Sequence, residues 1–526
     1  MTTFAPSLPS VPSMSPPVSR RAKAFGLALL ITAGAFGIGL IIAESPLLAV
    51  FVAAGVVAFL VSLARPSSAT YVVIAILYSN AAAVAARSHG VPDFIAVAFP
   101  LLLALPLADH LLLRRKPVVI TAALPFLFGY MLVQVLSTIG ARDVSDTADG
   151  LIGFLIGGFG LYFVITNVIR TYASLRTAIW VVLVAAAAVG VLSTIQAVTG
   201  QYNNDFGGFA TVDLPGRDNA EQLSASLDAT VRAEGPIGET NRFAQVMVVL
   251  LPIGVMLAIG EKRRLYRSLA LLLTLLILAG MATTFSRGAA LGLTVVLVVA
   301  TFLGYLRVRH LVGLGLVLAL LLLAFPTYGQ RLLDLQGLLN LDQKRAVAEQ
   351  PDAQVVGDTG NLRGRATSTL AALYVWSDHP VFGVGRGQFR QYYEEYAGEV
   401  ADTGLSSRVD FGATRQAHNL YTSVAAETGT FGLVLFLAVF IVTMRRLLGA
   451  RRWWHASRPD VAHLAVGFFL AIVAYLVSGI ALHLSYERYL WFLLALAGVT
   501  AHLALKGDPN RDFEVVVAGA APAGSP

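Results

Sequence analysis

The stretch "TAIWVVLVAAAAVGVLSTIQAVTG", Thr177–Gly200, runs 24 residues without a charge. As an α-helix it is about 36 Å long, enough to cross a hydrocarbon core of roughly 30 Å. Similar runs recur along the chain. Fourteen are expected as helices: 24–43, 47–64, 70–86, 92–113, 118–138, 149–169, 176–199, 241–260, 266–283, 288–305, 310–326, 429–444, 461–482 and 488–505. A membrane β-barrel would carry short alternating segments instead. The 526 residues are 56% hydrophobic and only 13% charged, far below the charge of a soluble domain. The fold class is therefore all-α, a polytopic membrane bundle of about 14 (12–14) spans with a large outer loop carrying short helices.

Charge orients the bundle, because short cytoplasmic loops collect Lys and Arg. With the N-terminus inside, the inner segments hold 22 Lys+Arg against 6 Asp+Glu, and the outer ones 16 against 25. Both termini are expected to be cytoplasmic. The net charge of +7 then reports topology rather than nucleic-acid binding, and the basic inner face suits membrane lipids with anionic headgroups. Residues 1–23 and 506–526 read as disordered tails flanking a membrane domain, 24–505. Arg20, Arg21 and Lys23 precede an apolar run too long for a signal-peptide core. Zero cysteines exclude disulfides and thiolate chemistry.

Two outer segments, about 200–240 and 327–428, are too long to be simple turns. The second contains "RLLDLQGLLNL", whose leucines fit a surface-lying amphipathic helix. It also contains "STLAALYVWSDHP", helix-like and stopped by Pro380. "VFGVGRGQF" follows. Its glycines do not match a phosphate-binding P-loop, so Gly383 and Gly385 read as turn residues.

Among the ionisable residues on the outer side, Arg287 stands at the mouth of a helix, in "TTFSRGAALGL". Arg232 and Arg242, in "VRAEGPIGETNRFAQ", precede another helix on the same side. Each alone reads as an interfacial anchor. Together, beside a lipid leaflet, they suggest a lipid-linked phosphate, which guanidiniums hold with paired hydrogen bonds. Of nine histidines, His89, His379, His418 and His483 map outside. No metal or cofactor motif is visible, and none is expected.

"HNLYTSVAAETGTFG" resembles the H-[NSQ]-x9-G-x-x-G signature of the O-antigen ligase and Wzy-type polysaccharide polymerase superfamily. His418, Asn419, Gly429 and Gly432 fill its fixed places. "RGAAL" looks like the family's R-x-x-x-L element, with Arg287 and Leu291 in place, and "WSDHPVFGVGRGQF" resembles the stretch before the histidine. "RAEGPIGETNRFAQVMVVLLP" resembles the entry to an earlier helix, with Arg232 and Asn241 matching and Thr240 standing where the family has Pro. The resemblance covers roughly 120–505.

The resemblance implies a GT-C-like glycosyltransferase of the bacterial cytoplasmic (inner) membrane. Such proteins move a glycan from undecaprenyl diphosphate to an acceptor hydroxyl on the outer face. The acceptor is a lipid A core, another lipid-linked glycan or a protein. The ligase reaction is inverting and metal-independent. Diphosphate departure builds negative charge that fixed cations stabilise, so Arg232 and Arg287, with Arg242 in reserve, are assigned to the diphosphate. A neutral imidazole suits proton removal from a sugar hydroxyl, so His418 is the candidate base. Gly429 and Gly432 are expected to allow close backbone approach in the following helix. Ligase and exopolysaccharide or O-antigen polymerase share the signature. A transporter or flippase of lipid-linked sugar is the rival of another class; it predicts ionisable residues at helix centres, and the runs here are almost free of them.

Overall fold

The computed structural model describes residues 55–57, 59–93, 99–213, 231–307, 309, 358–402, 416–482 and 488–506. The runs expected at 24–43 and 310–326, half of 47–64, the segment "RLLDLQGLLNL", His310, His483 and all but Lys506 of the two tails lie outside these residues.

The described chain is helical apart from one small hairpin. The helices are α1 (Pro66–Ser79), α2 (Ala81–His89), α3 (Phe99–Leu113), α4 (Leu124–Ser137), α5 (Val144–Val168), α6 (Tyr172–Thr199), α7 (Thr240–Gly260), α8 (Arg264–Ala282), α9 (Arg287–Phe302), α10 (Asp358–Asp378), α11 (Phe389–Asp402), α12 (Leu420–Trp454), α13 (Pro459–Ser478) and α14 (Arg488–Lys506). Strands β1 (Thr211–Asp213) and β2 (Arg232–Gly235) pair antiparallel, Val212 opposite Ala233. Among the described residues seven helices are long and apolar enough to cross a membrane, and α1 with α2 makes an eighth if the bent pair is one span. The all-α polytopic membrane class holds.

Local chemistry sets the boundaries. The 28-residue α6 opens with a capping box between Thr171 and Ser174 and stops at Gly200 in the left-handed region. The span expected at 70–86 is instead bent by 57° at Asn80, whose φ is 55°. Its amide donates to Pro236 O at 2.8 Å and accepts from Arg488, so a buried polar contact takes the place of straight helix. Pro380 does stop a helix: α10 ends two residues before it.

Packing centres on α13 and α14. Every residue of α14 from Tyr489 to Ala501 is buried, as a helix apolar on all sides requires. Trp491 meets Phe154 at 5.1 Å and Phe436 at 6.1 Å, tying α5, α12 and α14. Helices α6 and α8 touch through glycine: a Cβ on Gly280 would lie 2.4 Å from Gly190 Cα. A second, smaller core joins α10 and α11 through Val375, Phe389, Tyr393 and Val400 and rests on α12 at Ala426.

The connections at one end of the bundle carry most of the described Lys and Arg. Arg170 donates to Pro117 O at 2.8 Å, Arg451 to Leu303 O at 2.8 Å, and Arg458 pairs with Asp460 at 3.0 Å. Trp454 Nε1 donates to Ala504 O at 2.5 Å. The other end carries β1, β2, α10 and α11.

Because backbone meets backbone at Gly280, a Gly280→Val substitution must push α6 and α8 apart. It should cost about 1–3 kcal/mol and lower the melting temperature of the detergent-purified chain by several degrees. An unchanged melting curve would remove this contact as a packing determinant.

Candidate active site

The cationic side of the site hangs on the turn between α8 and α9. β2 is tied to that turn by Ala233 N donating to Thr283 O at 3.1 Å. This puts the half-buried Arg232 where its Nε donates to Thr284 O at 3.1 Å and its Nη2 to Asn241 Oδ1 at 3.3 Å. Ser286 Oγ donates to the same Asn241 oxygen at 3.1 Å. Arg232, Asn241 and Ser286 thus form one network, and Arg242 and Arg287 are the next residues in the chain. The three arginines assigned to one ligand from the sequence are gathered at one place. Glu239 caps α7 by accepting from Asn241 N at 3.1 Å and Arg242 N at 2.7 Å, and lies 3.8 Å from the Arg242 guanidinium.

The histidine side is built on the start of α12. His418 is half-buried with φ 49°. Beside it, the carbonyl of Ala417 accepts from Thr369 Oγ1 at 3.1 Å, which fixes this segment to α10. Asn419 is the N-cap: its Oδ1 accepts from Tyr421 N at 2.9 Å and Thr422 N at 3.1 Å. Its Nδ2 donates to Ile480 O at 3.0 Å, and Tyr421 Oη donates to Leu476 O at 2.7 Å.

Both sides meet the same end of α13. Gln245 of α7 donates to Ser478 Oγ at 2.9 Å. A Cβ on Gly288, next to Arg287, would stand 3.7 Å from Ala481 Cβ. A Cβ on Gly479 would stand 2.8 Å from Leu420 Cδ2. Arg287 and His418 therefore flank one helix end and lie at the same end of the bundle.

The signature glycines do something more specific than was expected. The span expected to start at 429 starts at Leu420 and is broken at Gly429, where φ is 66° and ψ is −169°. The loop from Pro380 fills the break. Thr430 N donates to Pro380 O at 2.8 Å, Val384 N to Ala426 O at 3.0 Å and Gly385 N to Glu427 O at 3.0 Å. Side chains are excluded here: a Cβ on Gly429 would lie 2.2 Å from Val381 O, and one on Gly383 2.4 Å from Glu427 C. Gly432 lies against Thr428 one turn later. Leu291, one turn into α9, is half-exposed on the outside of the bundle.

Arg386 is buried rather than poised at the surface. It donates to Gln134 Oε1 at 2.7 Å and lies 4.9 Å over the Phe154 ring. Burial pushes its pKa down to about 10, so it remains charged at neutral pH. Arg390 pairs with Asp146, and Arg142 pairs with Glu395 at 2.5 Å and stacks 3.7 Å over Tyr392. These contacts join the α4–α5 connection to α11. Sequence reading missed Ser286 and the Asn80–Arg488 contact. Ser286 had a signal, a serine before an apolar helix. The Asn80–Arg488 pair, 408 residues apart, had none.

A polytopic helical membrane protein with arginines and a histidine around one helix end is the class that fold and site define. Residues 270–437 match the family model described as O-antigen ligase. The match supports the resemblance of this segment to the O-antigen ligase and Wzy-type polymerase superfamily. The match takes in Arg287, the Pro380 loop, His418, Gly429 and Gly432; Arg232 and Arg242 precede it. No curated protein matches the chain.

Gly429→Ala is expected to be poorly tolerated. The backbone cost alone is about 1–3 kcal/mol, and the methyl group meets a carbonyl. Membrane abundance and melting temperature should both fall. A normal melting temperature would mean that the break is not needed for the fold.

Proposed function

We propose that this protein is a glycosyltransferase that takes a glycan from an undecaprenyl-diphosphate carrier and joins it to an acceptor hydroxyl at the outer face of the bacterial cytoplasmic membrane. The observation that carries this reading is that Gln245, one turn beyond Asn241 of the Arg232–Asn241–Ser286 network, and Asn419, next to His418, both bond the end of α13. A lipid carrier presents its diphosphate at the membrane surface, and a polar acceptor arrives from water. A site at a helix end serves both.

In this reading Arg232 and Arg287 bind the diphosphate, with Arg242 alongside. The glycosidic C–O bond breaks, the electron pair leaves with the diphosphate oxygen, and the guanidiniums offset the new charge without reorganising. His418 takes the proton from the acceptor hydroxyl as its oxygen bonds to the anomeric carbon. Attack opposite the leaving group inverts the anomeric centre. The cations serve the leaving group, so the reading assigns no metal. The basic end of the bundle faces the cytoplasm in this scheme, together with both termini.

A lipid A core acceptor would make the protein a ligase of lipopolysaccharide assembly. A second lipid-linked glycan would make it an exopolysaccharide or O-antigen polymerase. The ligase is our primary reading, because the matching family model carries that description. A glycan profile after deletion separates the two: a ligase loses capped lipid A, whereas a polymerase loses long chains and keeps single repeats.

His418→Ala should lower transfer by about 10²–10⁴-fold while the protein stays in the membrane. Normal transfer by that variant sinks the enzyme reading. Arg232→Gln and Arg287→Gln should each weaken binding of farnesyl diphosphate, a short isoprenyl diphosphate probe, by roughly tenfold, the effect of losing a charge-assisted hydrogen bond. Arg287→Lys should restore little of that loss. Equal affinity in all four proteins would remove the arginines from the diphosphate site.

A further inference from the structure

Among the described residues, the two most buried ionisable side chains of the outer half lie away from His418 and from the three assigned arginines. Glu427 is 4% exposed and Arg386 is 5% exposed. Burying a charge beside a bilayer is costly, and charges so placed generally have a specific use. The two meet at one junction: Gly385 N, next to Arg386, donates to Glu427 O at 3.0 Å. The Glu427 carboxylate also faces the backbone N–H groups of Gly387 and Phe389. Arg386 reaches across to Gln134 of α4 at 2.7 Å.

Their place in the chain suggests the use. The half-helix Leu420–Thr428 has His418 and Asn419 at its head and Glu427 at its foot, just before the Gly429 break. Asn419 and Tyr421 fasten the head to α13. At the foot, Val384 N and Gly385 N bind the carbonyls of Ala426 and Glu427. The backbone at Gly429 is not helical, so the second half of α12 does not set the rotation of the first. The loop shares that task with the bonds at the head.

We infer that Arg386 and Glu427 are positioning residues that lock the rotation and height of the half-helix carrying His418. This inference rests on the glycosyl-transfer reading above. Nine residues of helix place Glu427 about 13 Å from His418 along the axis, so the pair acts through the half-helix and not on the reacting atoms. A displacement of about 1 Å at the head is enough to lower a rate by about a hundredfold.

The test uses the full-length chain in a host lacking its own copy. It compares the initial rate of glycan transfer, membrane abundance and farnesyl diphosphate affinity. Glu427→Gln removes one member of the pair and should lower transfer by about a hundredfold, with abundance and diphosphate affinity near those of the parent. The double variant Arg386→Gln/Glu427→Gln removes both members and should transfer no better than Glu427→Gln, because neither is left to hold the half-helix. Arg386→Lys keeps the charge with a different reach, and should reduce transfer with normal abundance; it decides the matter if Glu427→Gln is absent from the membrane. Transfer near the parent rate in Glu427→Gln, or in Arg386→Lys where that variant decides, overturns the inference. So does a loss of transfer matched by loss of protein in the single and double variants alike. If His418→Ala is inactive while these variants are normal, only the positioning role falls; if His418→Ala is normal, the enzyme reading itself falls.

Discussion

A helix inside a bilayer cannot leave amide groups open, because no water is present to take them. Helix α12 is interrupted at Gly429, where left-handed φ ends one run of helical bonds and starts another. The groups at the break find partners in the loop that begins at Pro380: Ala426 O and Glu427 O accept from Val384 and Gly385, and Thr430 N donates to Pro380 O. The break therefore needs the loop and the loop needs the break. From that mutual requirement follow the two glycines that admit the close approach, the α10–α11 cap that holds the loop, and a nine-residue half-helix with a histidine at its head.

The opposite side of the site answers a different problem, how to hold several guanidiniums at one membrane surface without mutual repulsion opening the bundle. Acceptors of partial or full negative charge are interleaved with them. Thr284 O and Asn241 Oδ1 take Arg232, Glu239 stands by Arg242, and Pro236 O takes Arg87. The helices α7, α9 and α12 all begin at this end, so their positive dipole ends add to the same field. The local potential favours an anion, and it does so with fixed groups. That is the condition for stabilising charge as it develops rather than after rearrangement.

Much of this was legible in the sequence, because the bilayer imposes a length and a composition that few other environments demand. The apolar runs gave the fold class, and the basic loops gave helix ends that do gather together in space. His418, Arg287 and the signature glycines were legible because they sit at fixed spacings in one segment. What escaped was of two kinds. The break at Gly429 was hidden inside a continuous apolar pattern: hydropathy reports which residues tolerate lipid, and a glycine tolerates it whether helical or not. The bend at Asn80 and the Arg386–Gln134 bond were hidden because each joins residues hundreds of positions apart, where one sequence has no register.

One element connects the two halves of the site, and its chemistry explains why. A helix leaves its final carbonyls without partners of its own. At the end of α13, Tyr475 O accepts from Gln245, Leu476 O from Tyr421, and Ile480 O, just beyond, from Asn419. The first donor belongs to the helix that follows Arg232 and contains Arg242. The other two belong to the half-helix that follows His418. The carbonyls of a single helix end thus take donors from both sides and set their separation. The arginine side and the histidine side need no direct contact to be held in register; each is hydrogen-bonded to neighbouring carbonyls of the same helix end, and a ligand spanning the two would meet a preset distance.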